Sequence, residues 1–297
     1  MGATRILASL SPDDRARLTA PSDRAGLWHL AGHLGIIVGL GAVVLSGVAG
    51  WWLALWPLGI ALAFLFTLQH ECTHKTPFAT GWLNEVAGHV AGVILVQPFL
   101  WFRAFHMAHH RHTNDPRHDP ELAGDGSRPR TWPQFLWYLS TLGYWRDKLL
   151  LLWSNATGPK PSPYISPRAA PRIRAEARAL IAVYAAAILA MLTVAPWLFW
   201  VWLVPLSLGF PVLRLYLLAE HDRCPEVADM LRNSRTTLTN PFTRFLAWNM
   251  PYHAEHHACP TVPFHRLPEV HGLARDEIEF LAQGYRTFVR ETAEGLR

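Results

Sequence analysis

Two long apolar runs dominate the chain, and each is long enough to cross a bilayer twice. From Ala25 to His70 no Asp, Glu, Lys or Arg occurs in 46 consecutive residues. As helix that run measures about 69 Å at about 1.5 Å per residue, against a hydrocarbon core of about 30 Å. A second uncharged run extends from Ala179 to Leu213 and keeps its apolar character past Arg214 to Ala219. Arg214 is tolerable there if its long stem carries the charge toward the interface. Gly47–Gly50 and Ala195-Pro196 are the natural turning points, and Trp51, Trp52, Trp56, Trp197, Trp200 and Trp202 around them suit an interfacial aromatic belt. The pattern predicts an all-α integral membrane protein. Its four transmembrane helices form two hairpins, over about 27–47, 51–70, 179–196 and 198–219.

Two further apolar segments are less simple. Val86 to Phe99 is too short for a comfortable span and ends near Pro98, so it reads as a re-entrant or interfacial helix. Thr131–Trp153 is rich in Trp, Tyr and Leu but contains Arg146, Asp147 and Lys148, which predicts an amphipathic helix lying in the membrane plane. Residues 157–172, rich in Pro and Ser, form a stiff link. The expected organisation is a polar N-terminal segment (1–24), one membrane domain (25–278) and a C-terminal tail (279–297).

Composition supports this class. The 297 residues are 51% hydrophobic and only 16% charged. All 27 Lys and Arg lie outside the uncharged runs: four before residue 25, thirteen from Lys75 to Arg178, ten from Arg214 onward. If each run is a hairpin, all three basic segments share one side, which the positive-inside rule makes the cytoplasm. Both termini are then cytoplasmic, and a bacterial inner membrane fits. The isoelectric point near 9.4 follows from topology and not from nucleic-acid binding, for which no aromatic-interleaved basic run is present. Cys72, Cys224 and Cys259 lie near histidine motifs on what should be the reducing side, and read as small buried fillers.

The chemistry lies in histidine. Sixteen occur, and half fall into three groups: His70-Glu-Cys-Thr-His74, His106-x-x-His109-His110 and His253-x-x-His256-His257. Residues three and four apart share a helix face, so each group can aim its imidazoles one way. The predicted topology brings all three groups to one membrane face, as a helical cap over the spans. Alone, the first group matches the zinc-protease pattern H-E-x-x-H, with Glu71 as general base. A zinc hydrolase needs one more ligand; this chain offers six more histidines in matched groups, which argues for two ions. Nitrogen-only ligation suits iron, copper or zinc. Acids stand near the groups, namely Glu71, Asp115, Asp119, Glu220, Asp222 and Glu255, and are expected to orient the outer ring nitrogens.

H-E-C-T-H, then H-x-x-H-H-R-H-T, then H-A-E-H-H, with a hairpin before the first and another before the third, resembles the membrane fatty acid desaturases and related hydroxylases over residues 50–270. The resemblance implies two non-haem iron ions and O2 as cofactors, and an oxidoreductase that removes hydrogen from an alkyl chain. Carried over, the ligands are His70, His74, His106, His109, His110, His253, His256 and His257. A ninth follows the fourth span in such proteins, and His221 holds that place. His112 is turned from the shared face and would stand behind the ligands, as would Glu71, Asp115, Glu220 and Glu255. Asn249 could hold a water on one iron. The segment Asn233-Ser-Arg-Thr-Thr237 resembles that of bacterial desaturase-like proteins, and His253 in place of Gln argues against a front-end desaturase. The chain shows no haem motif His-Pro-Gly-Gly and no Cys-x-x-Cys module. A separate electron donor, a ferredoxin or small cytochrome, is therefore expected. The substrate would be an acyl lipid or fatty acyl chain, desaturated or, alternatively, hydroxylated; a zinc hydrolase is the distant third reading. His29 and His33, also four apart, match no family motif and are expected to be hydrogen-bonded.

Overall fold

The computed structural model describes residues 3–122, 128–158 and 162–297. Four helices are long and apolar enough to cross a membrane: Pro12–Ser46, Trp51–His74, Ala170–Thr193 and Phe199–His221. The expected pairs are present, with shifted ends. Polar residues extend the first helix N-terminally through Asp23–Ser46 and the preceding turn, where the Ser22 hydroxyl accepts from the Ala25 amide. The third begins at Ala170, nine residues before its expected start, with Pro171 in its first turn where no amide is needed. The first hairpin turns through Gly47 and Gly50, both at positive φ (64° and 83°), a conformation that costs glycine nothing. Beside that turn Trp51 meets Trp200 edge to face at 5.5 Å between ring centroids, joining the two hairpins.

The second and fourth spans touch backbone to backbone. A Cβ on Gly59 would lie 1.8 Å from the Pro205 carbonyl oxygen, and one on Gly209 2.0 Å from the Gly59 carbonyl. Small residues allow this approach where lipid supplies no hydrophobic drive between helices. Around the contact Leu58, Ala61, Leu206, Phe210 and Leu213 are fully buried. On the outer faces Val38, Leu189, Leu192 and Val194 are exposed, an apolar surface that calls for lipid and not water.

The segment read as re-entrant is a helix, Gly81–Leu95, joined to the helix Phe99–His112 at a bend of 100°. Val96 takes the left-handed conformation and Pro98 opens the second helix. Two interactions fix the bend. Gln69 of the second span donates to the Gln97 carbonyl at 2.9 Å, and Gln97 donates back to the Gln69 amide oxygen at 2.9 Å. Glu176 of the third span accepts from the backbone amides of Phe99 (2.8 Å) and Leu100 (3.0 Å), an anion at a helix N-terminus. The in-plane helix expected over 131–153 is instead two, Trp132–Ser140 and Leu142–Thr157, broken at Thr141 with φ 62°. Trp137, Leu142, Leu149 and Trp153 on them are exposed. The link over 157–172 falls partly on 159–161, outside the described residues.

Residues 279–297 are folded against the body and do not trail from it. Strand β1 (Arg235–Thr237) pairs in parallel with β2 (Phe280–Ala282), and Phe288 of the closing helix Tyr285–Glu294 is buried. This two-stranded sheet is a small departure from the all-helical expectation.

Candidate metal centre

Three helix ends deliver the imidazoles. His70 and His74 occupy the last two turns of the second span, His106, His109 and His110 the last two turns of Phe99–His112, and His253, His256 and His257 the short helix His253–Ala258. His221 closes the fourth span. Arg103 ties the first two together, donating to the Cys72 carbonyl (3.3 Å) and pairing with Glu85 (2.9 Å).

The nine rings divide into two sets. In the first, one nitrogen each from His70, His74, His106, His110 and His256 lies within 4.8 Å of every other. In the second, His109, His221 and His257 meet the same limit, and His253 Nε2 stands 2.9 Å from His221 Nε2. Close approaches of ring nitrogens recur: His74 to His106 at 2.9 Å, His110 to His256 at 3.2 Å, His109 to His221 at 3.2 Å. Two nitrogens at right angles around one ion, each about 2.1 Å from it, lie about 3.0 Å apart. Both ring nitrogens of His70 and Nε2 of His257 are buried with no hydrogen-bond partner among the described residues. Such groups are costly unless something accepts their lone pairs. The donor set therefore fits two transition-metal ions bound by neutral imidazole.

Charge state agrees with this. Burial, then repulsion from neighbouring imidazoles, holds His253, His256 and His257 well below the ordinary histidine range, so they are neutral. Burial also pushes the Cys224 thiol up to about 11 and the Cys259 thiol up to about 12. Protonated thiols are poor ligands, and all three cysteines are buried and free.

Outer nitrogens find partners mostly in the second set. His109 Nδ1 is 3.0 Å from Asp119, His257 Nδ1 3.2 Å from the Thr113 hydroxyl, and His221 Nδ1 3.3 Å from the Asn233 carbonyl, while His253 Nδ1 lies 3.3 Å from Glu220 without a hydrogen bond. In the first set, Glu71 stands 3.6 Å from His256 Nδ1. Burial raises the Asp119 carboxyl, but bonds from His109 and from the Glu121 and Asn114 amides outweigh it and hold the group low and ionised.

Four residues expected behind the ligands stand elsewhere. Asp115 binds His118 at 2.7 Å, because the helix ends at His112 and Asn114, at φ 62°, turns the chain so that Asp119 reaches back instead. His112 joins Asp115 and His118 in a more exposed trio, apart from the nine rings. Glu255, on the far side of its short helix, accepts from the Thr236 hydroxyl and pairs with His271. Asn249, at φ 56°, donates to the Phe264 carbonyl at 3.0 Å. Asp222, also near a motif, pairs with Arg130 at 2.8 Å. Thr113 and Asn233 escaped the sequence reading, since neutral side chains and backbone carbonyls carry no motif. Asn233 opens the segment Asn233–Thr237, whose Arg235 holds the end of the fourth span through the Ala219 and Asp222 carbonyls. His29 and His33 are bonded to the Phe245 and Ala61 carbonyls at 2.7 and 2.8 Å.

A cavity of about 370 Å³ opens beside both sets, walled by Phe66, Trp101, Phe102, Phe105, Leu151 and Leu217 among others.

A family model described as fatty acid desaturase matches residues 22–289. The chain is 30% identical over 127 residues to the sn-1 oleoyl-lipid 12-desaturase of Anabaena variabilis, covering 35% of this chain and 36% of that protein. It is 34% identical over 102 residues to the enzyme of the same description from Picosynechococcus, covering 31% and 29%. With that from Arthrospira platensis it shares 23% over 274 residues, covering 82% and 74%. The matched segments thus span about a third of the first two relatives.

Proposed function

The chain belongs to the fatty acid desaturase family, and we propose that it is a membrane-bound, O2-dependent di-iron desaturase that introduces a double bond into a fatty acyl chain or lipid. The observation that carries this reading is the pair of buried imidazole sets with unpartnered nitrogens on His70 and His257. His70, His74, His106, His110 and His256 would hold one ion, and His109, His221, His253 and His257 the other. Iron held there supplies the oxidising power that an unactivated C–H bond requires. The balance is one CH2–CH2 unit, O2, two electrons and two protons giving one alkene and two waters.

This chain's own side chains account for the rest. Asp119 orients His109, keeping one ring nitrogen turned inward, and Glu220 faces His253 Nδ1. Phe66, Phe102 and Phe105 wall the cavity beside His70 and His106 and exclude water from a bound chain. The electrons would come from a separate carrier, a ferredoxin or small cytochrome, docking on a basic cytoplasmic face. Under the positive-inside rule the basic segments favour both termini in the cytoplasm, which would put the imidazoles in a cap at the inner face of a bacterial membrane.

Hydroxylation of the same carbon is the second reading, since the chemistry diverges only after the first hydrogen is removed. A zinc hydrolase would leave the second set without purpose. Metal analysis of the purified chain and mass spectrometry of host lipids test all three. Two irons per chain with lipids that have lost two hydrogens support desaturation. Gain of one oxygen indicates hydroxylation, and a single zinc indicates the hydrolase.

A further inference from the structure

The cavity wall carries two cations in contact with aromatic rings, which a passage for alkyl carbon alone does not require. Lys148 and Arg214 both line it. They share one aromatic ring: Lys148 Nζ lies 5.1 Å and the Arg214 guanidinium carbon 5.4 Å from the Tyr144 centroid. Arg214 also stacks on Tyr138 at 3.6 Å, and Lys148 lies 5.2 Å from the Trp101 centroid. Among the described residues neither cation has a carboxylate within 4.0 Å, whereas Arg103 and Arg130, also half-buried or at the edge of the site, are paired with Glu85 and Asp222. Lys148 donates only to the Gln97 side chain, and Arg214 Nε is buried without a partner.

The acids of the same cavity are engaged by other groups. Glu121 lies 3.7 Å from His109 Nδ1 and Glu220 3.3 Å from His253 Nδ1. Asp119 serves His109, Asp147 pairs with Arg146 at 2.9 Å, and Asp222 pairs with Arg130. The cavity's carboxylates are thus taken up by imidazoles and other arginines, while Lys148 and Arg214 have no carboxylate in direct contact among the described residues. Burial and then the neighbouring Arg214 push the Lys148 ammonium down to about 7, against a weaker opposing pull from Glu121, the direction expected where like charges gather with no carboxylate in contact. Aromatic faces offset part of this cost, but a stacked guanidinium keeps its N–H edge free for a planar anion. At about 370 Å³ the space is at the small end of ligand sites, about 300–1,000 Å³.

We propose that Lys148 and Arg214 form an anion-binding subsite that seats the carboxylate or phosphate head of the substrate inside the cavity, so that oxidation falls on carbon near the charged end. The inference rests on the desaturase reading for the identity of the reacting site, but not for the binding itself. A free carboxylic acid and a lipid phosphate share the needed chemistry.

The test uses the full chain, iron-loaded, in nanodiscs of zwitterionic lipid under argon, titrated calorimetrically with octanoate, its methyl ester, and lysophosphatidate. The acid, the phosphate, or both should bind at least tenfold tighter than the uncharged ester; preference for octanoate indicates a free acid, preference for lysophosphatidate a lipid headgroup. Lys148→Met and Arg214→Met should each erase that margin, Arg214→Lys should keep part of it, and iron content should not change. No charge preference in the unaltered protein, or a preference that survives both methionine variants, overturns the subsite. The comparison of acid with ester needs no variant to fold. A chain that holds two irons and desaturates lipid but shows no charge preference loses only this subsite. One that shows the preference but holds no iron loses the desaturase reading.

Discussion

The two imidazole sets are built from the same helices yet are supported differently. In the second, His109, His221 and His257 each have a hydrogen-bond partner at the outer nitrogen, namely Asp119, the Asn233 carbonyl and Thr113, while His253 Nδ1 lies 3.3 Å from Glu220 without a hydrogen bond. In the first, Glu71 lies 3.6 Å from His256, while His70 has neither nitrogen paired and His110 Nδ1 is buried without a partner. Outer partners fix ring orientation and raise ligand basicity. Hydrogen bonds from the protein therefore orient most of the second set, whereas the first would depend on packing and on a bound ion. The difference arises from the elements. His70 and His74 project from a transmembrane helix amid apolar neighbours, but His109 and His221 stand where helices give way to polar loops.

The largest effect should follow removal of a ligand from the less supported set. His106→Ala or His256→Ala is expected to reduce turnover to background while membrane insertion is unchanged, because ligands define the site and spans define insertion. Lipid analysis together with membrane fractionation checks both halves. Retained turnover in either variant removes that residue from the ligands.

A smaller effect separates the sets. Asp119→Asn should weaken metal binding about 10- to 100-fold, and only at the second set, so that dialysis against a chelator leaves one ion of two. Loss of both ions together would show that the sets are not independent. Its counterpart, Glu255→Gln, should leave both ions in place, since Glu255 faces Thr236 and His271.

That contrast also marks how far the sequence could be read. The four spans were legible because charge is excluded from lipid so strongly that 46 residues from Ala25 carry none. The three histidine groups were legible because i, i+3 and i+4 spacing survives translation into helix. Partners of the outer nitrogens were less so. Asp115 and Asp119 are equal candidates until the left-handed Asn114 is known, and Glu255 lies among ligands in sequence but behind them in space. The break at Thr141 was hidden because neither Gly nor Pro marks it. Parallel pairing of Arg235–Thr237 with Phe280–Ala282 joins segments more than forty residues apart, and three-residue strands leave too little alternation to detect.

The smallest effect comes from the pair that imitates the first box. His29 and His33 repeat the spacing of His70 and His74, and on spacing alone would be candidates for an ion. Each already has a partner. His29 Nε2 is 2.7 Å from the Phe245 carbonyl, and His33 lies between the Ala61 carbonyl (2.8 Å) and the indole N–H of Trp248, which donates to Nδ1 at 3.1 Å. His33, accepting at Nδ1 and donating from Nε2, has no lone pair left for a metal, and the His29 ring is packed against Phe245, Trp248 and Phe264 at 4.4, 4.4 and 4.8 Å between centroids, apart from the nine rings. His29→Ala should leave metal content unchanged and cost about 0.5–1.5 kcal/mol, one net hydrogen bond, seen as a modest fall in unfolding temperature in detergent. Loss of an ion in this variant would mean that spacing, and not the state of the outer nitrogen, decides which histidines bind metal.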